Sequence, residues 1–115
     1  MLKHILLTVL LISLLAACGG PSREPLTVTV LAKEMTFDLT TIEAGVNQPI
    51  TLTYVNEGLI DHAFAVEGLV EEQKVKSGET RSFTFTPTRV GAFKYYCTIP
   101  GHEMAGMTGR LTVTP

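Results

Sequence analysis

What most constrains this chain is a period of two. From Leu26 to the C-terminus, short runs rich in Val, Thr, Ile, Phe and Tyr alternate apolar with polar residues, and Gly, Pro, Asn and Asp punctuate them. Alternation at that period places one set of side chains on each face of an extended strand, as a half-buried sheet requires. "LTVTVLA" sets Leu26, Val28 and Val30 against threonines, and "PITLTYVN" turns Ile50, Leu52 and Tyr54 inward. "HAFAV" puts His62, Phe64 and Val66 on a common face. "TRSFTFTP" contributes Phe83 and Phe85, "GAFKYYC" sets Phe93, Tyr95 and Cys97 opposite Lys94, and "RLTVT" closes with Leu111 and Val113. A further extended segment is expected near Phe37 to Ile42, and turns at "EAGVN", "NEG", "KSGE" and "TRVG". No stretch holds a helical period. The nearest candidate, "VEEQKVK" (Val70 to Lys76), has so few apolar residues that it is expected to be a solvated connection. Seven to eight short strands at this spacing predict an all-β fold, a Greek-key antiparallel β-sandwich or barrel.

The first part of the chain is different in kind. Lys3 opens a basic start, and an uncharged, largely apolar run follows from Ile5 to Ala17. It is shorter than the roughly 18 residues a membrane-spanning helix needs. A short apolar core after a positive start, ending in small residues, predicts a secretory signal over residues 1–17. "LAAC" (Leu15 to Cys18) resembles the lipobox of bacterial lipoproteins, in which the cysteine becomes the mature N-terminus and carries acyl chains. That resemblance implies lipid attachment at Cys18, a flexible tether over 18–25, and a domain over 26–115. The expected location is outside the cytoplasm, anchored to a membrane on the periplasmic or extracellular side. From Cys18 on, eight basic residues stand against eleven acidic ones, a net of −3 with the signs interspersed. A nucleic-acid partner is not expected from such a surface.

With Cys18 assigned to lipid, Cys97 is an unpaired cysteine in an oxidising compartment, and its neighbourhood explains why it is there. "YYCTIPGHEMAGM" brings Cys97, His102, Met104 and Met107 onto one loop. His62 begins a strand and Cys97 ends one. If those two strands run antiparallel, His62 and the loop meet at the same pole. Two imidazoles, a thiolate and a thioether suit a copper ion that cycles between Cu(I) and Cu(II), and a trigonal His2Cys set with a weak axial Met describes a blue-copper electron-transfer site. Either Met104 or Met107 could be that fourth ligand on residue type alone. His4 lies in the signal, and Met35 is expected to pack in the core.

At these residues the chain resembles the cupredoxins, the type 1 blue-copper family. "YYCTIPGHEMAGM" is similar to their C-terminal ligand loop, "GRLTV" to the strand after it, and "YVNEGLIDHAFAV" to the segment that supplies the first histidine. "VKSGETRSFTFTPTRVGAFKYYC" matches the two strands leading to the cysteine, so the resemblance covers nearly all of Leu26 to Thr114. The C-x4-H-x4-M spacing is similar to that of the rusticyanin and auracyanin members. The resemblance implies one copper ion held by His62, Cys97, His102 and Met107, with Met104 left on an apolar rim beside Ile99, Pro100 and Ala105. It also implies a monomer whose redox-protein partners dock near the exposed edge of His102.

Two departures stand out. Ala63 occupies the position after the first histidine, where relatives often have Asn or Ser, and Thr98 is expected to restore part of that polarity. Gly101 stands where a dinuclear copper centre would need its second cysteine. Enzymatic relatives of this fold use further domains or further histidines, so no catalytic activity is expected. A thiol nucleophile would leave the second histidine and the methionine unexplained. Two functions remain, a membrane-tethered one-electron carrier and a copper-binding module for delivery, storage or sensing. The single compact loop favours the carrier.

Overall fold

The structure is a computed structural model that describes residues 22–115. The predicted signal and Cys18 lie outside the described residues. Eight strands follow in order: β1 Leu26–Ala32, β2 Thr41–Gly45, β3 Ile50–Asn56, β4 His62–Val66, β5 Val70–Val75, β6 Thr80–Phe85, β7 Gly91–Tyr96 and β8 Thr108–Thr114, with a one-turn helix α1 at His102–Ala105 before β8. They form a three-stranded sheet in the order β1-β3-β6 and a five-stranded sheet in the order β2-β8-β7-β4-β5. The sandwich is the expected one.

Its sheets are mixed. β1 pairs parallel to β3 and β2 parallel to β8, whereas β3–β6, β4–β5, β4–β7 and β7–β8 are antiparallel. Alternation fixes which residues face inward and says nothing of strand direction, so an all-antiparallel expectation overreached at these two pairs. Val70–Val75 is a strand and not a connection. It is the outer edge of its sheet, largely exposed, and its Glu71, Glu72 and Lys74 are the kind of charge that protects an edge from further pairing. The second strand also sits later than expected. Phe37 makes only an isolated bridge to Ala32, and the ladder with β8 starts at Thr41 and runs through Gly45.

The inward residues meet between the sheets. Ile50, Leu52, Tyr54, Phe64, Tyr95 and Cys97 are all fully buried. The Phe64 ring is the hub, with ring centres 5.2 Å from Tyr54, 5.4 Å from Tyr95, 5.9 Å from Phe37 and 6.0 Å from Phe83. Such contacts add specific geometry to apolar burial. β4 is buried at every position, because it is flanked by strands on both edges and its outward residues are the alanines Ala63 and Ala65. On the solvent face of the smaller sheet, hydroxyls pair across β3 and β6, Thr51 with Thr84 at 3.1 Å and Thr53 with Ser82 at 2.9 Å. These pairs fix register where no packing does.

Candidate metal centre

β4 and β7 run antiparallel with Ala65 opposite Tyr96 and Val66 opposite Tyr95. The first residue of β4 therefore lies beside the residues that follow β7, and His62 meets Cys97 at one pole of the sandwich. β7 and β8 close a hairpin at Tyr96 and Thr108, so residues 97–107 are its loop. That loop is held by its own backbone. The Cys97 N–H donates to the Met107 carbonyl at 3.0 Å, the Met107 N–H to the His102 carbonyl at 3.1 Å, and the His102 N–H to the Ile99 carbonyl at 3.0 Å. Between these bonds the chain makes the turn α1, flanked by Gly101 at φ 85° and Gly106 at φ 120°. Both conformations are left-handed and suit glycine.

The donors converge. His62, Cys97 and His102 are all buried and their ligating atoms lie within 4.8 Å of one another. The two histidines face each other through Nδ1 at 3.2 Å, and Cys97 Sγ lies 3.5 Å from His102 Nδ1. Donors around an ion bound at about 2.0–2.3 Å are separated by roughly 3–4 Å, and both edges of the triangle that meet at His102 Nδ1 have that spacing. Burial, first, and the neighbouring His102, second, hold the His62 pKa below its ordinary value, which favours the neutral, ligating form; the Lys33 carbonyl, Glu34 and Asp61 act in the opposite direction. His62 Nε2 has no hydrogen-bond partner, although the Lys33 carbonyl lies on that side of the ring outside hydrogen-bonding geometry. The ring packs against Gly58, where an added Cβ would come within 3.0 Å of Nε2.

Of the two methionines, Met107 is 0% exposed and Met104 is 94% exposed. Met107 ends the loop inside the core, bonded through its backbone to both Cys97 and His102. Met104 projects from α1 into solvent. His102 is 9% exposed, whereas His62 and Cys97 are 0% exposed, so His102 is the donor residue nearest the surface. Two imidazoles, a cysteine sulfur and a buried thioether residue make up the donor combination of a type 1 copper site, and copper is the ion it fits.

Several supports were not legible beforehand. The Ala63 backbone N–H donates to Cys97 Sγ at 3.3 Å, so the sulfur gains its hydrogen bond without any polar side chain at that position. Thr98 does not restore polarity there: its hydroxyl donates to the Glu72 carboxylate. Tyr54 donates to the Ala63 carbonyl at 3.2 Å and fixes the same residue from the other side. An inward tyrosine needs a partner for its hydroxyl, which was the available signal. Asn56 is fully buried. Its amide donates to the Ile60 and Val75 carbonyls, each at 2.9 Å, and its oxygen accepts the Gly58 N–H at 2.9 Å. It thereby fixes the turn that leads into His62. Met35 is only partly buried and its carbonyl lies near Gly106, which places it beside the loop and not in the core.

Residues 4–113 match the family described as "Cupredoxin-like domain". Auracyanin-B of Chloroflexus aurantiacus is 51% identical over 41 residues, which are 36% of this chain and 17% of that protein. The copper-resistant cuproprotein CopI of Rubrivivax gelatinosus is 26% identical over 116 residues, covering 83% of this chain and 70% of that one. This chain thus spans under a fifth of the length of auracyanin-B and about two thirds of CopI. A solved structure of auracyanin B superposes with a TM-score of 0.70 at 25% identity, over 84% of this chain and 93% of that one. With a family match across nearly its whole length and the mixed sandwich to go with it, the chain belongs to the cupredoxin-like domain family.

Proposed function

We propose that this protein is a mononuclear type 1 copper electron carrier, exported and held at a membrane by acyl chains on Cys18, with His62, Cys97, His102 and Met107 as its copper ligands. The observation that carries the reading is the preformed triangle of His62, Cys97 and His102. Copper bound there supplies a one-electron couple. The protein's part is to hold the donors still. β4 fixes His62, the hairpin backbone fixes Cys97 and His102, and the Ala63 N–H lies on the sulfur, so the donor positions have little freedom to follow a change of charge. Burial keeps water from the donors, and His102, the least buried of them, supplies the route to a partner. Around that residue Leu59, Ile60 and Met104 are exposed, an apolar pole suited to redox-protein docking. Among the described residues no helix is long and apolar enough to cross a membrane. What supports attachment through Cys18 is the lipobox-like run Leu15 to Cys18 directly after the apolar segment.

The likeness to CopI supports a second reading, in which the same site binds copper for handling and not for shuttling electrons. One experiment separates the two. The protein is loaded with one equivalent of Cu(II) and followed by visible absorption and electron paramagnetic resonance. An intense sulfur-to-copper band that bleaches on reduction, returns on oxidation and is lost in Cys97→Ser supports the carrier. A colourless protein that holds only Cu(I) and yields it to a chelator sinks the carrier and leaves copper handling.

A further inference from the structure

The exposed apolar pole could meet a bilayer or another protein, and the place where the tether joins the domain decides between them. The metal-bearing pole collects the ends of β1 and β3, at Ala32 and Asn56, with His62 and Cys97. The opposite pole collects their starts, Leu26 and Ile50, with the end of β2 at Gly45 beside Thr114. The segment before β1 is fastened to this second pole. The Leu26 N–H donates to the Pro49 carbonyl at 2.8 Å. Gln48 Nε2 donates to the Glu24 carbonyl at 2.8 Å, while Gln48 Oε1 accepts the Gly45 N–H at 2.8 Å. Arg23 lies flat on Gly45, where an added Cβ would fall 2.3 Å from its guanidinium.

We propose that the metal-bearing pole faces away from the membrane that anchors the chain, so that its occupant is an extramembrane redox protein with an apolar contact and not the bilayer. The inference rests on the acylation of Cys18 proposed above. From Cys18 to the fastened Arg23 the chain can reach about 18 Å at full extension. The poles are separated by the length of β3, about 20 Å, and by the loops that project beyond its end. A tether that short cannot turn the metal-bearing pole onto the bilayer while Arg23 and Glu24 stay fastened. Freed back to Leu26, it would extend to about 28 Å and could. Charge points the same way. Glu34, Glu57, Asp61 and Glu103 stand near this pole against Lys33, Lys76 and Lys94, the last paired with Glu103, so the pole carries no basic excess that would draw it to an anionic lipid surface.

The test uses the full-length acylated holoprotein in vesicles of phosphatidylcholine and phosphatidylglycerol. Mass spectrometry at Cys18 and flotation with the vesicles examine the anchor. Absence of acylation removes the anchor reading and overturns this inference with it. Given acylation, Leu59→Cys carries a nitroxide, with copper kept as Cu(I). A label that collides with a water-soluble nickel chelate as freely on vesicles as in detergent is the expected result, and one shielded from nickel but open to oxygen overturns the proposal. Electron exchange with a soluble c-type cytochrome is expected to persist on vesicles and to drop about tenfold in Leu59→Asp, with the copper spectrum unchanged. Loss of that exchange on vesicles, with electrons taken instead from a quinol in the same bilayer, overturns it as well.

Discussion

The metal centre has two halves built in opposite ways. His62 stands on a strand buried at all five positions and reaches its partners only because β4 and β7 pair across the sheet. Cys97, His102 and Met107 occupy one hairpin loop whose backbone bonds to itself. The first half is a product of the global fold. The second is a local structure that the fold merely closes. The difference teaches where each half should fail, and substitutions that spare the copper chemistry can find out.

The largest effect is expected on the loop half. Met107 is its plug into the core, fully buried beside Cys97 and Leu111. In the copper-free protein Met107→Ala should cost about 3 kcal/mol, the usual penalty for emptying a buried methionine site. Denaturant unfolding measures it. A cost below about 1 kcal/mol would mean that the loop is not packed into the core and owes its shape to its backbone alone.

On the strand half the corresponding residue is Asn56. Its three hydrogen bonds, to Gly58, Ile60 and Val75, fix the turn before His62. Asn56→Ala should cost about 2 kcal/mol, since it leaves buried backbone groups unpaired in a turn that water can partly reach. Amide exchange should quicken at residues 57–62 and stay slow across 97–107. Equal quickening in both would show that the halves open as one unit and are not built separately.

The same contrast governs what the sequence made legible. Alternation placed Ile50, Leu52, Tyr54, Phe93 and Tyr95 inward, and each is buried. The loop half was visible because its residues are close in sequence at a spacing a known family shares. The pairing of His62 with Cys97 followed from one assumption about strand direction, which this structure has. Strand direction elsewhere was hidden, as β1 with β3 and β2 with β8 demonstrate, because parallel and antiparallel strands alternate alike. β5 escaped notice as an edge with no apolar face to reveal it. The turn α1 is too short to carry a period. The bond from Ala63 to the sulfur belongs to the backbone, which every residue except proline carries, so no side chain announces it.

A smaller effect joins the two halves. Tyr54 holds Ala63, and Ala63 holds Cys97. Burial, and secondarily the charge of Cys97, push the Tyr54 hydroxyl well above the ordinary tyrosine value of 10.0, and burial does the same to Tyr95. A phenol whose folded pKa is raised binds its proton more tightly in the folded state. The stability this confers is complete below pH about 10 and is lost as pH rises further, because the unfolded chain ionises first. Tyr54→Phe should therefore cost about 1 kcal/mol at neutral pH and flatten the fall in stability above pH 10. Urea titrations at pH 7 and pH 11 measure both. An alkaline slope unchanged from the parent protein would assign the whole effect to Tyr95.

The smallest expected effect is the most discriminating for the loop. Met104 is three residues from Met107 and shares its chemistry, yet it is exposed on α1 while Met107 is sealed beneath. Met104→Ala should change stability by less than about 0.5 kcal/mol, as exposed substitutions do, and leave the copper absorption and paramagnetic spectra in place. Its consequence should appear only in exchange with a partner, because Met104 stands on the rim of the His102 edge. If Met104→Ala instead altered the copper spectrum as strongly as Met107→Ala, the loop would have to refold around the ion so that α1 unwinds and turns its exposed thioether inward. The loop half would then be shaped by metal, and the strand half alone would be prepared in advance by the fold.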